Sequence, residues 1–189
     1  MTPELVIRRA GNGERATQLN RPVRCLVRMA RWARRRSAFH AGDGVRRTTD
    51  AAAYSTWRAA ALHGQLESHF SPAVLAGKDV VDFGCGGGEL SCALIRDWGC
   101  HSVTGIDRSE SAVHAATNAR GRLPDDRRQA LRFIRSASEG PIDLADESID
   151  VVCCFDAVEH IADIAAAAVE WRRMLRPGGQ VWIWWSPWR

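Results

Sequence analysis

The residues whose types and spacing could do chemistry begin with VVDFGCGGGEL, residues 80–90. An apolar run carries the chain into Asp82, a glycine-rich turn follows, and a helix is expected from Glu89. In sheets built from alternating strands and helices, the first strand-to-helix turn is where a nucleotide-type ligand sits, and glycines let the backbone approach it without a Cβ in the way. The dinucleotide pattern Gly-x-Gly-x-x-Gly fails in both registers. From Gly84 and Gly86 its third glycine falls on Glu89; from Gly86 and Gly88 it falls on Ser91. A glutamate at a helix start would also repel a pyrophosphate. The pattern Asp-x-Gly-x-Gly-x-Gly is met at every position, by Asp82, Gly84, Gly86 and Gly88, with Cys85 between the first two glycines. An acid at the strand end suits a cationic ligand better than a phosphate.

The elements that must position this loop alternate along the chain. The apolar runs at Asp79–Phe83 and Ile149–Phe155, and the segments Ser102–Ile106, Leu131–Ile134 and Gln180–Trp185, read as strands. Helical segments are expected at Glu89–Trp98, ending at Gly99; at Ser109–Arg120, with Ser109 as N-cap and Gly121 just past the end; and at Ile161–Leu175, closed by Arg176-Pro177-Gly178-Gly179. A further helical stretch over 51–70 stops at Ser71-Pro72. Strand–helix alternation predicts an α/β fold, a doubly wound parallel sheet with right-handed crossovers.

Composition narrows the function classes. No run approaches the ~18–20 apolar residues of a membrane-spanning helix. Six cysteines in 189 residues, with no Cys-x-x-Cys pair, exclude a disulfide scaffold and a zinc ribbon; a reducing, cytoplasmic setting fits. The net charge of +4 is uneven. Residues 1–50 hold twelve arginines against four acids, whereas the remainder holds fourteen basic residues against eighteen acids. The basic character thus belongs to an N-terminal extension, partly helical or unstructured over 1–50, and the domain over 51–189 is mildly acidic. No nucleic-acid partner is expected. Within the extension, 22–39 reads as a basic, partly amphipathic helix, suited to docking or to a weak membrane-surface contact. Cys153 and Cys154 alternate across their strand and are expected as small buried hydrophobes. Trp182, Trp184, Trp185 and Trp188 are expected as packing rather than as a base-stacking platform.

The glycine loop and its acid resemble those of the class I S-adenosylmethionine-dependent methyltransferases, and the resemblance continues in order over about residues 55–188. It is nearest to the small-molecule, type 11 branch that includes quinone-biosynthesis O-methyltransferases, which share a Glu-His after the fourth strand. The resemblance implies a Rossmann-like sheet and S-adenosylmethionine as cofactor. GIDRS, residues 105–109, places Asp107 at the end of the second strand, 21 residues after Gly86, near the spacing at which an acid accepts from ribose hydroxyls; Arg108 follows it. The segment after the third strand, with Ala137 and Ser138, corresponds to the adenine contact. Gly84 and Gly86 would border the methionine part, with Phe155 and Asp156 over its reacting end. The implied reaction is methyl transfer to a small-molecule acceptor, through oxygen or another nucleophile. For a hydroxyl acceptor, His160 is the candidate base, with Glu159 as orienter or alternate. Asp156, Glu159 and His160 also resemble the acid-x-x-Glu-His cluster of metal-dependent members. The first acid here is the shorter Asp and no further histidine follows, so no metal is expected.

The family sheet normally continues past its fifth strand with two more, one of them antiparallel and beside the fifth. The chain ends at Arg189, just past that point. The expected order is therefore 3-2-1-4-5, lacking the usual last two strands. That leaves 181–185 as an apolar edge, to be covered by a second copy in a homodimer or by the N-terminal segment. A fragment of a longer enzyme, or a degenerate, non-catalytic cofactor-binding module of the same fold, is the alternative.

Overall fold

The computed structural model describes residues 5–8, 60–64, 66–67, 70–136 and 141–184. The described residues fall into two units, those within Gly44–Ala137 and those within Met1–Asp43 together with Ser138–Arg189.

In the first unit three parallel strands carry the glycine loop and its neighbours: β2 (Asp79–Phe83), β3 (Ser102–Asp107) and β4 (Leu131–Arg135). Val80–Phe83 of β2 and 103–106 of β3 are buried without a break, as parallel strands covered on both faces require, whereas β4 at the sheet edge buries only Leu131 and exposes Arg132. Val80, Val81, Val103 and Leu131 are fully buried. Helix α1 (Glu89–Arg96) follows β2 and buries Leu90, Leu94 and Ile95. Helix α2 (Glu110–Arg120) follows β3, and the Ser109 hydroxyl accepts the Ala112 N–H at its start, as the capping pattern predicts. A single helical turn at Asp125–Arg128, absent from the sequence reading, precedes β4. Arg128 secures it by donating to the carbonyls of Gly121 and Leu123. Residues 60–64 and 66–67 are helical, within the stretch expected to be so.

In the second unit β5 (Ile149–Phe155) runs parallel to β6 (Leu175–Trp184), joined by helix α3 (Ile164–Met174). Cys153 and Cys154 are both fully buried, Trp182 nearly so. Two boundaries differ from expectation. The Asp163 carboxylate accepts the N–H groups of Ala165 and Ala166, so α3 starts after it rather than at Ile161. Arg176-Pro177-Gly178-Gly179 does not separate helix from strand. It lies inside β6 as an irregularity: Ile149 pairs with Leu175, but Val151 already pairs with Gln180. Gly178 takes φ +83° there, a conformation that glycine adopts readily after a turn proline. The segment before β5 is fastened to α3 by Arg173, which donates to the carbonyls of Ile142 and Leu144 and pairs with Asp146 and Glu170. Glu170 in turn accepts the Ile142 N–H, and the Arg173 guanidinium holds its carboxyl below the usual range.

The strands stand in the order β1-β6-β5-β2-β3-β4. Counted from Asp79–Phe83 as the first, the five parallel strands have the expected order 3-2-1-4-5 of a Rossmann-like sheet. The sixth, β1 (Leu5–Arg8), lies in the N-terminal extension, where no strand is expected. It pairs antiparallel with β6, Leu5 opposite Ile183 and Arg8 opposite Gln180. The edge expected to be open therefore carries the N-terminal segment, one of the two coverings foreseen. Residues 22–39 lie outside the described residues, as do Trp185 and Trp188. No helix among the described residues is long and apolar enough to cross a membrane.

Candidate functional site

The loop between β2 and α1 is closed from within. The Gly84 and Cys85 N–H groups both donate to the Ile106 carbonyl, at 2.8 and 3.0 Å, and the Gly88 N–H donates to the Cys85 carbonyl at 2.9 Å. The Gly86 N–H donates to Asp107 Oδ2 at 2.9 Å. A phosphate-binding loop presents free N–H groups to its ligand. Here those of Gly84, Cys85, Gly86 and Gly88 are already donated inside the protein, and Glu89 places a negative charge at the helix start, which disfavours a pyrophosphate. Gly84, Gly86 and Gly88 all take left-handed φ, at +82°, +53° and +81°. They differ in what their missing side chains face. A Cβ on Gly86 would meet nothing within 4 Å, whereas one on Gly88 would lie 2.8 Å from Phe133 and 3.0 Å from Ala116. Gly86 faces open space a ligand can take; Gly88 is a packing glycine at the start of α1.

Asp107 ends β3, as expected. Its Oδ1 accepts the Ser109 N–H at 2.8 Å and its Oδ2 the Gly86 N–H. Each carboxylate oxygen has two acceptor sites, so both keep one for a diol. Asp82 is buried, 3% exposed, and accepts the Ser91 hydroxyl at 2.6 Å. Ser91, where the dinucleotide pattern lacks its third glycine, instead anchors the acid at the strand end through its hydroxyl. Arg108 is exposed, and its carbonyl accepts from Arg135. Burial, reinforced by the charges of Asp82 and Asp107, pushes the Cys85 thiol far above its ordinary range. It is a packed thiol, not a nucleophile.

This arrangement fits S-adenosylmethionine. The ligand is a sulfonium cation bearing a ribose diol; the site offers an open glycine at 86 and a carboxylate, that of Asp107, with an acceptor site left on each oxygen. Ala137 and Ser138, read as adenine contacts, lie outside the described residues.

The remaining candidates belong to the second unit. Phe155 ends β5 and is buried. Asp156 follows at φ +49°, a left-handed conformation uncommon outside glycine and tolerated by Asp. Its N–H donates to the Trp184 carbonyl at 2.7 Å. Glu159 and His160 lie in a single 3-10 turn, Val158–His160. The His160 side chain is 70% exposed and that of Glu159 17%, with 4.0 Å between His160 Nε2 and Glu159 Oε1. That separation is too long for a hydrogen bond, so Glu159 does not fix the imidazole in this structure.

Residues 81–183 match the methyltransferase-domain family. The ubiquinone biosynthesis O-methyltransferase of Aromatoleum aromaticum is 41% identical over 109 residues, covering 58% of this chain and 44% of that protein. The corresponding enzyme of Stutzerimonas stutzeri is 37% identical over 120 residues, covering 62% and 47%. The chain thus spans less than half the length of these curated relatives. Among solved structures, an S-adenosylmethionine-dependent methyltransferase from Mesorhizobium loti superposes with a TM-score of 0.52 at 25% identity, over 64% of this chain and 50% of that one. A family match across more than half of the chain joins the loop chemistry and the strand order: the protein belongs to the methyltransferase-domain family, with the class I Rossmann-like fold and S-adenosylmethionine as its cofactor.

Proposed function

We propose that the protein transfers a methyl group from S-adenosylmethionine to a small-molecule acceptor and releases S-adenosylhomocysteine. The observation that carries this reading is the joining of the open Gly86 to Asp107, which accepts the Gly86 N–H and keeps an acceptor site on each oxygen. Asp107 receives the ribose hydroxyls, and the backbone around Gly84 and Gly86 borders the methionine part. Asp82 adds a buried negative charge beneath the loop, which favours a cation. When bound, the cofactor supplies a methyl carbon already activated by its positive sulfur. What the chain must add is alignment of the acceptor and removal of its proton.

The names of the relatives support a hydroxyl acceptor. On the resemblance, Phe155 and Asp156 neighbour the reacting end and His160 takes the acceptor's proton, with Glu159 as orienter or alternate base. A second reading is a cofactor-binding module without methyl transfer. It is favoured by the exposure of His160, which no hydrogen bond to Glu159 holds in place.

Calorimetric titration with S-adenosylhomocysteine tests the cofactor half, with Asp107→Ala and NADH as controls. Saturable binding that the variant loses and NADH does not reproduce supports it. A screen of phenolic and aliphatic hydroxyl acceptors with radiolabelled methyl donor then separates the two readings. Turnover abolished by His160→Ala supports the enzyme; cofactor binding with no turnover on any acceptor supports the module.

A further inference from the structure

The glycine loop is held by more than its own hydrogen bonds. Phe133 lies at the middle of β4 and pairs in register with Gly105 of β3. A Cβ on Gly105 would fall 2.4 and 2.5 Å from Cδ1 and Cε1 of the Phe133 ring, and a Cβ on Gly88 would fall 2.8 Å from its Cζ. The ring therefore lies across the bare backbone of Gly105 and its tip bears on Gly88. Ala116 of α2 closes the other side of Gly88, its Cβ and Cα at 3.0 and 3.2 Å from the same constructed position. Gly88 is thus gripped between an aromatic ring and a helix. It is also the residue that closes the loop, through its N–H to Cys85, and begins α1, by accepting the Cys92 N–H.

The same ring touches the second part of the site. Gly105 stands two residues before Asp107 on β3, and Ser91, the partner of Asp82, has its hydroxyl 3.0 Å from where a Gly105 Cβ would be. One side chain thus bears on the loop's closing glycine and on the strand that presents the ribose acid. Phe133 is only half-buried, so its place in the fold is not that of a central core aromatic.

We propose that Phe133 is a positioning residue for the cofactor: its ring, seated in the space left by Gly105, sets where Gly88 and the loop stand relative to Asp107. This rests on the loop being the cofactor site. It requires ring and glycine to be exchangeable in volume. A methyl on Gly105 should drive the ring into Gly88, and a smaller residue at 133 should release that pressure.

The test measures S-adenosylhomocysteine affinity by calorimetry for the wild-type chain, Gly105→Ala, Phe133→Leu and the double variant. Apo thermal unfolding of each is recorded, and titrations are run well below each midpoint. Gly105→Ala is expected to bind at least about tenfold more weakly, Phe133→Leu about threefold to tenfold more weakly, and the double variant to return to within about threefold of wild type. A residue serving only stability would shift the midpoints and leave the affinity of the folded protein unchanged. Single variants that bind within twofold of wild type, or a double variant no tighter than Gly105→Ala, overturn the proposal. Should Gly105→Ala not fold, a double variant that folds and binds supports it, and one that does not overturns it. A folded wild-type chain that binds no S-adenosylhomocysteine defeats the cofactor reading itself, and this proposal with it.

Discussion

The Gly86 N–H donates to Asp107 Oδ2 at 2.9 Å across 21 residues of sequence. The acid read as the ribose contact is therefore also the latch that sets the glycine loop. On the proposed function, removing it takes away a hydrogen bond to the ligand and the loop's anchor together. Asp107→Ala should weaken S-adenosylhomocysteine binding by about 10- to 100-fold or more, since hydrogen bonds to charged groups contribute about 1.5–3 kcal/mol each. Asp107→Asn keeps one carbonyl oxygen that can accept the Gly86 N–H, so its loss should be smaller. Calorimetric titration of both variants checks the order. Equal affinities would show that the latch contributes nothing.

Gly88 and Gly178 have almost the same left-handed φ, +81° and +83°, in different surroundings. A Cβ on Gly178 meets nothing within 4 Å, whereas one on Gly88 runs into Phe133 and Ala116. Gly178→Ala should cost only the conformational term, about 1–2 kcal/mol. Gly88→Ala should add an overpacking cost of about 1–3 kcal/mol to it. Urea unfolding of the two variants measures the difference, and a Gly88 variant no less stable than the Gly178 one would contradict the packing described.

Ser91 is fully buried and donates to a buried carboxylate at 2.6 Å. Ser91→Ala removes that donor without adding volume. Stability should fall by about 1–3 kcal/mol, and cofactor affinity should fall as well because Asp82 lies at the root of the loop. Unfolding and titration of the alanine variant give both readouts, and an unchanged midpoint would remove Ser91 from the site's support.

Much of this was legible in the residues. All five parallel strands were legible; β2 and β5 were so because a buried parallel strand has no polar face to confuse its period, and β4, with Arg132 exposed, because it follows in the strand–helix alternation. The loop's ligand class was legible because glycine spacing and the Glu89 charge speak to the same question. The missing parts have physical reasons. Arg176-Pro177-Gly178-Gly179 has the composition of a turn, yet it interrupts the register of β6 without ending the strand. Leu5–Arg8 is too short to announce a strand, and its pairing with β6 is a long-range choice no local pattern encodes. Phe133 and Ser91 matter through what lies opposite them across strands and helices, which spacing along the chain does not reveal. The exposure of His160 was equally invisible, since an Ala-Val-Glu-His run carries no signal of which side chain a 3-10 turn will bury.

The buried thiols give the site's unit a sensitivity to alkali. Burial pushes Cys92 up to about 11 and Cys100 up to about 12, against an ordinary value of 9.0. For Cys92 the Arg96 charge works in the opposite direction and only partly offsets it. Above pH 9 the unfolded chain loses thiol protons that the folded chain keeps, so the unfolded state gains relative stability as pH rises. The loss begins near pH 9 and levels off for Cys92 near pH 11, with a slope of at most about 1.4 kcal/mol per pH unit for each thiol. Cys92→Ala removes one such group. It should be less stable than wild type at pH 8 because of the lost packing, and the gap should narrow steadily between pH 9 and 11. Urea unfolding of both proteins across that range checks it; parallel curves would show that Cys92 ionises as readily in the folded chain as in the unfolded one.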